Sequence, residues 1–120
     1  MKIEKLEVSQ HLDTRKLYEE VFSEDEKSFV DYYYQEKTKD NIIYVVREDD
    51  DIQAMLHLNP YTLHVKGQQA EAKYIVGVAT DEEYRRQGVM RELLVKTFQE
   101  LRSRGELFTY LMPADENYYL

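Results

Sequence analysis

The stretch from Tyr74 to Leu101 constrains the fold most, because its pattern predicts a strand, a polar turn and an amphipathic helix in succession. The turn carries the letters YRRQG at 84–88, so two arginines and a glycine stand just before the helix. Amide N–H groups in the first turn of a helix have no acceptor within it, and the helix dipole is positive there. We therefore expect the turn to bind an anion, most simply a phosphate or pyrophosphate.

The charge of the chain makes this turn stand out. The net charge is -8 over 120 residues, which disfavours binding to nucleic acid or to an anionic membrane. Against that acidic background, Arg85, Arg86 and Arg91 form a local basic cluster that suits an anion. The alternative is a solvated helix start that happens to hold arginines, since charge runs are usually exposed faces.

Length and composition indicate a single domain spanning residues 1–120. The sequence shows no apolar run of about 18 residues and no signal-peptide pattern. Cysteine is absent, which excludes disulfides and thiolate metal sites, and we predict no metal site elsewhere. We expect a cytoplasmic protein that does not associate with membranes.

The first 40 residues predict a strand and two helices. Lys2–Val8 has the pattern of an edge strand or an extended lead-in, and the first helix begins after Asp13 or Thr14, either of which can cap it. Ser23–Glu26 matches a capping box, so the second helix is predicted to begin there. That helix carries an aromatic stripe, which we interpret as core rather than as a ligand-binding surface: Phe29, Tyr32, Tyr33 and Glu36.

Residues 42–80 predict an antiparallel meander of three strands. The strands are Ile42–Arg47, Gln53–Val65 and Ala70–Thr80, and the acidic segment Glu48–Asp51 is interpreted as a hairpin tip rather than a metal loop. Pro60 must then lie at a bulge or at an edge. Two histidines of the second strand are interpreted as packing or hydrogen-bonding residues outside the site: His57 and His64.

Beyond the turn, Gly88–Arg104 is predicted to be helical, and Leu107–Met112 is predicted to be a strand parallel to Ala70–Thr80. The apolar face of that helix comprises Val89, Met90, Leu93, Leu94, Phe98 and Leu101. The element order β-α-α-β-β-β-α-β gives an α/β fold of the α+β kind, a mixed sheet covered by helices. Ligands in such sheets bind at the carboxyl ends of parallel strands, which again selects the turn at 81–88.

This order of elements resembles the acyl-CoA N-acyltransferase fold of the GCN5-related N-acetyltransferases (GNAT), without the closing C-terminal hairpin. The letters RRQGVM at 85–90 are similar to the acetyl-CoA pyrophosphate loop of that family, Q/R-x-x-G-x-G/A, except for the bulky Met90. A bulky apolar residue at that position is typical of the Eis-like branch. The letters LMPADENYY at 111–119 also resemble the Eis-like stretch that ends in the catalytic tyrosine.

The resemblance implies acetyl-CoA as the cosubstrate. Its pyrophosphate would be held by the loop: Arg85, Arg86, Gln87, Gly88, Val89, Met90 and Arg91. Two further contacts are implied, backbone pairing along the pantetheine arm by Val78, Ala79 and Thr80, and a weaker contact from the other side by Ala114 and Asp115. Tyr119 matches the family tyrosine that protonates the departing thiolate, and Tyr118 is the competing candidate.

Two functions remain open from the sequence. The first is an N-acetyltransferase domain acting on a primary amine, either a small molecule or a lysine-type amine, and the acidic surface suits a cationic acceptor. The second is a noncatalytic CoA-binding or assembly fragment of a larger Eis-like protein, because no general base stands out and the chain looks truncated. The Leu107–Met112 strand would then expose an apolar edge, so we expect a homo-oligomer.

Overall fold

The computed structural model describes residues 2–104 and 109–111, and these residues form a five-stranded sheet in the order β1-β2-β3-β4-β5. The strands are β1 (Lys2–Lys5), β2 (Ile42–Glu48), β3 (Asp51–Val65), β4 (Gln68–Thr80) and β5 (Thr109–Leu111). The α-helices are α1 (Arg15–Val21), α2 (Lys27–Gln35) and α3 (Val89–Ser103), with shorter 3-10 helices at Val8–Thr14, Lys37–Asp40 and Glu82–Tyr84.

The topology matches the predicted order of elements. Strands β1 to β4 pair antiparallel in chain order, and β5 pairs parallel with β4 through Lys73–Ile75. The predicted meander and the predicted parallel strand are therefore confirmed, although residues 107, 108 and 112 lie outside the described residues. Pro60 follows Leu58, the last residue of β3 that pairs with β2, so it lies at an edge as expected.

Helices cover both faces of the sheet. On one face, α1 and α2 pack their buried residues, such as Leu17, Tyr18 and Tyr33, against the inward side chains of β2, β3 and β4. On the other face, α3 buries three aliphatic residues against a mainly aliphatic surface. Those three residues are Val89, Leu93 and Leu101.

The contact of α2 with the sheet corrects the predicted aromatic stripe. The buried residues of α2 are Val30, Tyr33 and Tyr34, whereas Phe29 and Tyr32 are exposed. The helix is rotated relative to the prediction because the hydroxyl groups of Tyr33 and Tyr34 find hydrogen-bond partners inside the molecule.

The predicted capping box is also wrong. Helix α2 begins at Lys27 with Glu26 in the N-cap position, and no side chain there accepts a capping hydrogen bond. At the start of α1, Thr14 does occupy the N-cap position, but its hydroxyl donates to the carbonyl oxygen of His11 instead. The pattern of residues located both helices, but not the hydrogen bonds of their first turns.

Helix α3 is close to its prediction with one exception. It spans Val89–Ser103, and its buried face follows the predicted periodicity. Phe98, which was predicted to be core, is exposed, and the neighbouring Thr97 is fully buried in its place. The buried residues Val89, Leu93, Thr97 and Leu101 stand four residues apart, so Phe98 lies beside the buried stripe and not within it.

Candidate functional site

The candidate site lies where β4 ends and α3 begins. The backbone N–H of Asp81 donates to the carbonyl oxygen of Gln53 at 2.8 Å, which fixes the end of β4 to the start of β3. The side chain of Asp81 then accepts a hydrogen bond from the N–H of Glu83 at 3.0 Å and caps the 3-10 helix that follows. The turn is therefore anchored at its entrance by backbone and side-chain contacts.

The exit of the turn presents backbone amides. Gly88 is the N-cap of α3 and adopts a left-handed conformation with φ of 78°, which an L-residue with a side chain rarely adopts. No side chain caps the helix, and the first helical bond joins the N–H of Glu92 to the carbonyl of Gly88 at 3.1 Å. The N–H groups of Val89, Met90 and Arg91 precede that bond, so they have no acceptor within the helix.

The space beside Gly88 is open. A Cβ atom built on Gly88 would meet no heavy atom within 4 Å apart from those of Gly88 and its two chain neighbours. Arg86 is also left-handed, with φ of 65°, so the turn bends twice before the helix begins. Alternation of this kind turns successive amides toward one concave side, an arrangement that binds anions in other proteins.

The three arginines of the turn have different roles in the structure. All are exposed, but the Nε of Arg85 donates to the carbonyl oxygen of Thr80 at 3.2 Å and ties the turn to β4. Arg86 and Arg91 face solvent. Four acidic residues lie in the same segment: Asp81, Glu82, Glu83 and Glu92. Because these charges largely offset the arginines, the amides and the helix dipole are the main attraction for an anion.

Met90, the residue that departs from the family pattern, is turned away from the open space. Its side chain is partly buried and packs against the same cluster as Val89 and Leu93. Only its backbone N–H is required at the first turn of the helix. A bulky residue at this position is therefore compatible with a bound anion.

A β-bulge interrupts the pairing of β4 with β3 near the turn. His57 of β3 pairs with Gly77 and Leu58 pairs with Ile75, so Val76 is an extra residue on β4. The described residues of β5, Thr109–Leu111, pair with Lys73–Ile75. Among the described residues, no strand pairs with the outer edge of 76–80, where the predicted contacts Val78, Ala79 and Thr80 lie.

A chain of buried polar groups lies under this bulge. The amide Nδ2 of Asn41 donates to the hydroxyl of Tyr33 at 3.0 Å, and that hydroxyl lies 2.7 Å from Nδ1 of His57. The hydroxyl has one proton to donate, and donation to Nδ1 of His57 places the imidazole N–H on Nε2, 3.3 Å from the sulfur of Met55, so that both hydrogens have a partner. Burial, together with a smaller contribution from His11, lowers the pKa of His57 from 6.5 to about 3.

The side chain of His57 packs over Gly77. A Cβ atom at Gly77 would lie 3.6 Å from the Cβ and Cγ of His57, an ordinary van der Waals distance, so the imidazole lies directly against this part of β4. The prediction that His57 packs or hydrogen-bonds is confirmed. The sequence did not indicate Tyr33 and Asn41 as its partners, because both are distant in the chain and carry no motif.

The remaining predicted site residues are Tyr119, its competitor Tyr118, and the weaker contacts Ala114 and Asp115. All four lie outside the described residues, so their roles stay predictions. A shallow concavity of about 570 Å³ occurs elsewhere on the surface, lined by Leu12, Arg15, Lys16, Glu19 and Glu20, and it includes no residue of the turn.

Comparison with known proteins identifies the family. A family model described as an acetyltransferase (GNAT) domain matches residues 2–120. The chain belongs to the GNAT acetyltransferase family. Membership supports acyl-CoA-dependent acetyl transfer in general terms, and GNAT domains generally use acetyl-CoA as cosubstrate. A search of curated proteins found no match.

Solved structures show the same fold at low sequence identity. One is an aminoglycoside acetyltransferase from an uncultured soil metagenomic sample, in complex with trehalose. It is 21% identical with a TM-score of 0.70, and the match covers 98% of this chain and 80% of the aminoglycoside acetyltransferase chain. Glucosamine-6-phosphate N-acetyltransferase from Arabidopsis thaliana is 20% identical with a TM-score of 0.68, over 97% and 84%. A conserved protein of unknown function from Enterococcus faecalis V583 is 16% identical with a TM-score of 0.86, and this GNAT chain covers 30% of it.

In the described ranges of this GNAT domain, no helix combines the length and the apolar composition that crossing a membrane requires. Within the same ranges, no three His, Asp or Glu side chains are grouped so that they could hold a metal ion.

Proposed function

We propose that this chain is an acetyl-CoA-dependent N-acetyltransferase domain that transfers an acetyl group to a primary amine. The observation that carries the proposal is the start of α3, where the left-handed Gly88 precedes three amides that have no acceptor within the helix, near the edge of 76–80 with which no described strand pairs. This arrangement suits a pyrophosphate at the amides and an amide-containing arm along the strand edge. The residues proposed to hold the pyrophosphate are Arg85, Arg86, Gln87, Gly88, Val89, Met90 and Arg91.

The edge of β4 would hold the pantetheine arm. Val78 and Ala79 bury their side chains on opposite faces of the sheet, so their backbone groups are what the strand presents at its outer edge. The carbonyl of Thr80 is already bonded to Arg85, which makes Val78 and Ala79 the principal pairing residues. A backbone N–H at this edge would also stabilise the oxyanion that forms when the amine attacks the thioester carbonyl.

The chemistry of the transfer needs two proton movements. The amine nitrogen attacks the thioester carbonyl, the carbon–sulfur bond breaks, and the amine gives up a proton. We propose that the phenol of Tyr119 donates its proton to the departing thiolate, with Ala114 and Asp115 as further cosubstrate contacts. Residues that would accept the amine proton are not assigned.

The acceptor is proposed to be a cationic amine. The net charge of -8 favours the approach of a positively charged small molecule or a lysine-type side chain. Two of the similar structures are enzymes named for amino-sugar acceptors, an aminoglycoside and glucosamine-6-phosphate, which supports an amine in this class. We place the protein in the cytoplasm, and we assign it to the Eis-like branch on the basis of Met90 and the letters at 111–119.

The alternative is a noncatalytic CoA-binding or assembly fragment of a larger Eis-like protein. The specific support is the Enterococcus faecalis protein, of which this chain covers 30%. In this alternative the loop still binds CoA, but groups needed for transfer come from elsewhere. Binding without transfer therefore separates the two proposals.

Two glycines give a matched test of the cosubstrate site. Gly88 and Gly67 both have φ of 78° and both have open space around the missing Cβ, but Gly67 lies in the turn between β3 and β4. Gly88→Asp and Gly67→Asp therefore introduce similar backbone strain and the same charge, and only Gly88→Asp places the charge before the α3 amides. CoA at 100 times its Kd should stabilise the wild type and Gly67→Asp by about 2.7 kcal/mol in thermal unfolding. Gly88→Asp should lose that stabilisation.

The outcomes of this test are distinct. No stabilisation of the wild type by CoA, or equal stabilisation of both variants, would contradict the cosubstrate site. Stabilisation without acetyl transfer to polyamines, aminoglycosides or lysine peptides would favour the noncatalytic alternative. If transfer occurs, Tyr119→Phe should lower the rate while CoA binding is unchanged, and Tyr118→Phe serves as its control.

A further inference from the structure

The exposed side of α2 carries a patch that the fold does not cover. Phe29 and Tyr32 are 47% and 49% exposed, although both are large aromatic residues. Glu36 follows at the end of the helix and Asp25 precedes it, and both are exposed. We name Asp25, Phe29, Tyr32 and Glu36 the α2 patch. It has an aromatic centre with a carboxylate at each end.

The exposed side of α3 carries a second patch with the opposite charge. Val95 and Phe98 are 42% and 44% exposed, and they lie between two exposed arginines. We name Arg91, Val95, Phe98 and Arg102 the α3 patch. Within residues 2–104 and 109–111, neither Arg91 nor Arg102 forms an ion pair.

The two patches have the same spacing in the sequence, at i, i+4, i+7 and i+11. In the α3 patch all four residues lie within the helix and form one stripe. In the α2 patch Phe29 and Tyr32 lie within the helix, Glu36 is its C-cap, and Asp25 lies two residues before the helix begins. The stripe on α3 is roughly 16 Å long, at 1.5 Å of rise per residue. Apolar residues therefore match apolar residues, and acidic ends match basic ends, when the two stripes are laid together.

The patches cannot meet within one molecule. Helix α2 packs on one face of the sheet and α3 packs on the other. They can meet only between copies of the chain. The overall charge of -8 disfavours most contacts between copies, which makes a basic patch facing an acidic patch the favoured one.

We propose that the α2 patch of one copy docks on the α3 patch of a second copy. The contact is heterologous, because the two surfaces differ, so each copy in a pair keeps one free patch of each kind to recruit another. Association therefore continues beyond the dimer unless the rotation closes a ring. This contact is different from the edge-to-edge pairing through β5 that the sequence suggested.

The existing partners of the charged ends do not prevent docking. The Oε2 atom of Glu36 lies 3.6 Å from the Nζ atom of Lys39 in an exposed ion pair. Contacts of this type contribute little to stability. Asp25 accepts a hydrogen bond from the hydroxyl of Tyr18 at 2.9 Å and still remains exposed. The buried surface is limited to two short helical stripes, so the contact belongs to the weak, transient class. We therefore expect it at high protein concentration and less of it at high salt.

Complementation of two defective variants tests the proposal. Tyr32→Asp disrupts the α2 patch and Phe98→Asp disrupts the α3 patch; neither residue belongs to a core cluster or to the proposed cosubstrate site. Gln35→Asp and Lys96→Asp are matched controls at exposed positions of the same helices, outside the patches. Sedimentation velocity should be measured at protein concentrations up to several hundred micromolar, with circular dichroism to check folding.

The association states of the wild type and the variants should follow a specific pattern. The wild type and both controls should associate beyond the dimer as concentration rises, and each disrupted variant alone should be a monomer. An equimolar mixture of Tyr32→Asp and Phe98→Asp should form a one-to-one complex that does not grow, because only one good contact can form. A monomeric wild type, variants that each still associate alone, or a mixture that forms no complex would each overturn it.

Discussion

The two faces of the sheet are built from different kinds of side chain. The face under α1 and α2 is aromatic and contains hydrogen-bonded polar groups, with Tyr18, Tyr33 and Tyr34 all within 6.4 Å of the His57 ring. The face under α3 is mainly aliphatic, with Leu56, Leu58 and Leu93 fully buried. One sheet therefore separates a core that depends on hydrogen bonds from a core that depends on apolar packing.

The difference has a consequence for the candidate site. The proposed pyrophosphate loop is attached to the aliphatic side, since Val89 and Leu93 hold the first turns of α3 against the sheet. The bulge at Val76 has the polar chain of His57 and Tyr33 beneath it. Mainly aliphatic packing holds the loop, whereas buried polar groups favour one specific arrangement of β3 and β4 at the bulge.

The largest predicted effect is on the aliphatic face. Leu93 is fully buried, so Leu93→Ala removes apolar contacts and leaves a cavity, with an expected cost of about 2–5 kcal/mol in the free energy of unfolding. Urea denaturation should show this loss equally at pH 7 and at pH 5. If the loss of unfolding free energy depended strongly on pH, packing under α3 would be coupled to the titratable groups of the polar face, and the two cores would not be independent.

The next effect concerns pH and the polar face. His57 and His11 are buried with lowered pKa values, chiefly because of desolvation, so the folded state holds both in the neutral form. The unfolded chain takes up protons as the pH falls below about 6.5, whereas folded His57 does so only near 3, so stability is lost across that interval. Each such group contributes a slope of up to about 1.4 kcal/mol per pH unit.

Replacement of one histidine tests this assignment. His57→Gln removes the titration and keeps a side chain that can accept a hydrogen bond from Tyr33. Its unfolding free energy should be lower than that of the wild type at pH 7 and should fall less steeply between pH 6 and pH 4. An unchanged slope would assign the acid sensitivity to groups other than His57.

The sequence predicted the order of elements because each depends on local pattern. The β-branched run at Ile42–Arg47, the turn chemistry after it and the helical period after Gly88 are all readable over short distances. The left-handed Gly88 at the start of a helix is equally local, so the loop was located from the sequence. The roles of its arginines could not be predicted from the sequence. The hydrogen bond from Arg85 to the carbonyl of Thr80 depends on the path that the turn takes in three dimensions.

The errors fall on the orientation of helices. Phe29 and Tyr32 on one side of α2, and Val30 and Tyr34 on the other, both satisfy a helical period, so periodicity alone could not choose between them. The choice depends on Thr14 and His57, which accept the hydroxyl protons of Tyr34 and Tyr33 from elsewhere in the chain. Phe98 was also predicted to be core and is exposed, and the three misplaced aromatic residues, Phe29, Tyr32 and Phe98, all lie in the two exposed patches.

The smallest predicted effect compares two buried threonines, one on each face. On the polar face, the hydroxyl of Thr14 donates to the carbonyl of His11 and accepts from Tyr34, both at 2.8 Å, so Thr14→Val should cost about 1–3 kcal/mol. On the aliphatic face, the hydroxyl of Thr97 has no hydrogen-bond partner in the described part of the chain, although the residue is fully buried. Thr97→Val replaces that hydroxyl with a methyl group of similar size.

Thr97→Val should therefore be neutral or stabilising by up to about 1 kcal/mol, because it removes a buried hydroxyl that no described group bonds. Urea denaturation of the two variants side by side measures both effects with the same chemical change. Opposite signs would support the separation of a hydrogen-bonded core from an aliphatic one. A comparable loss in both variants would show that Thr97 makes a stabilising hydrogen bond, and that the face under α3 also depends on polar contacts.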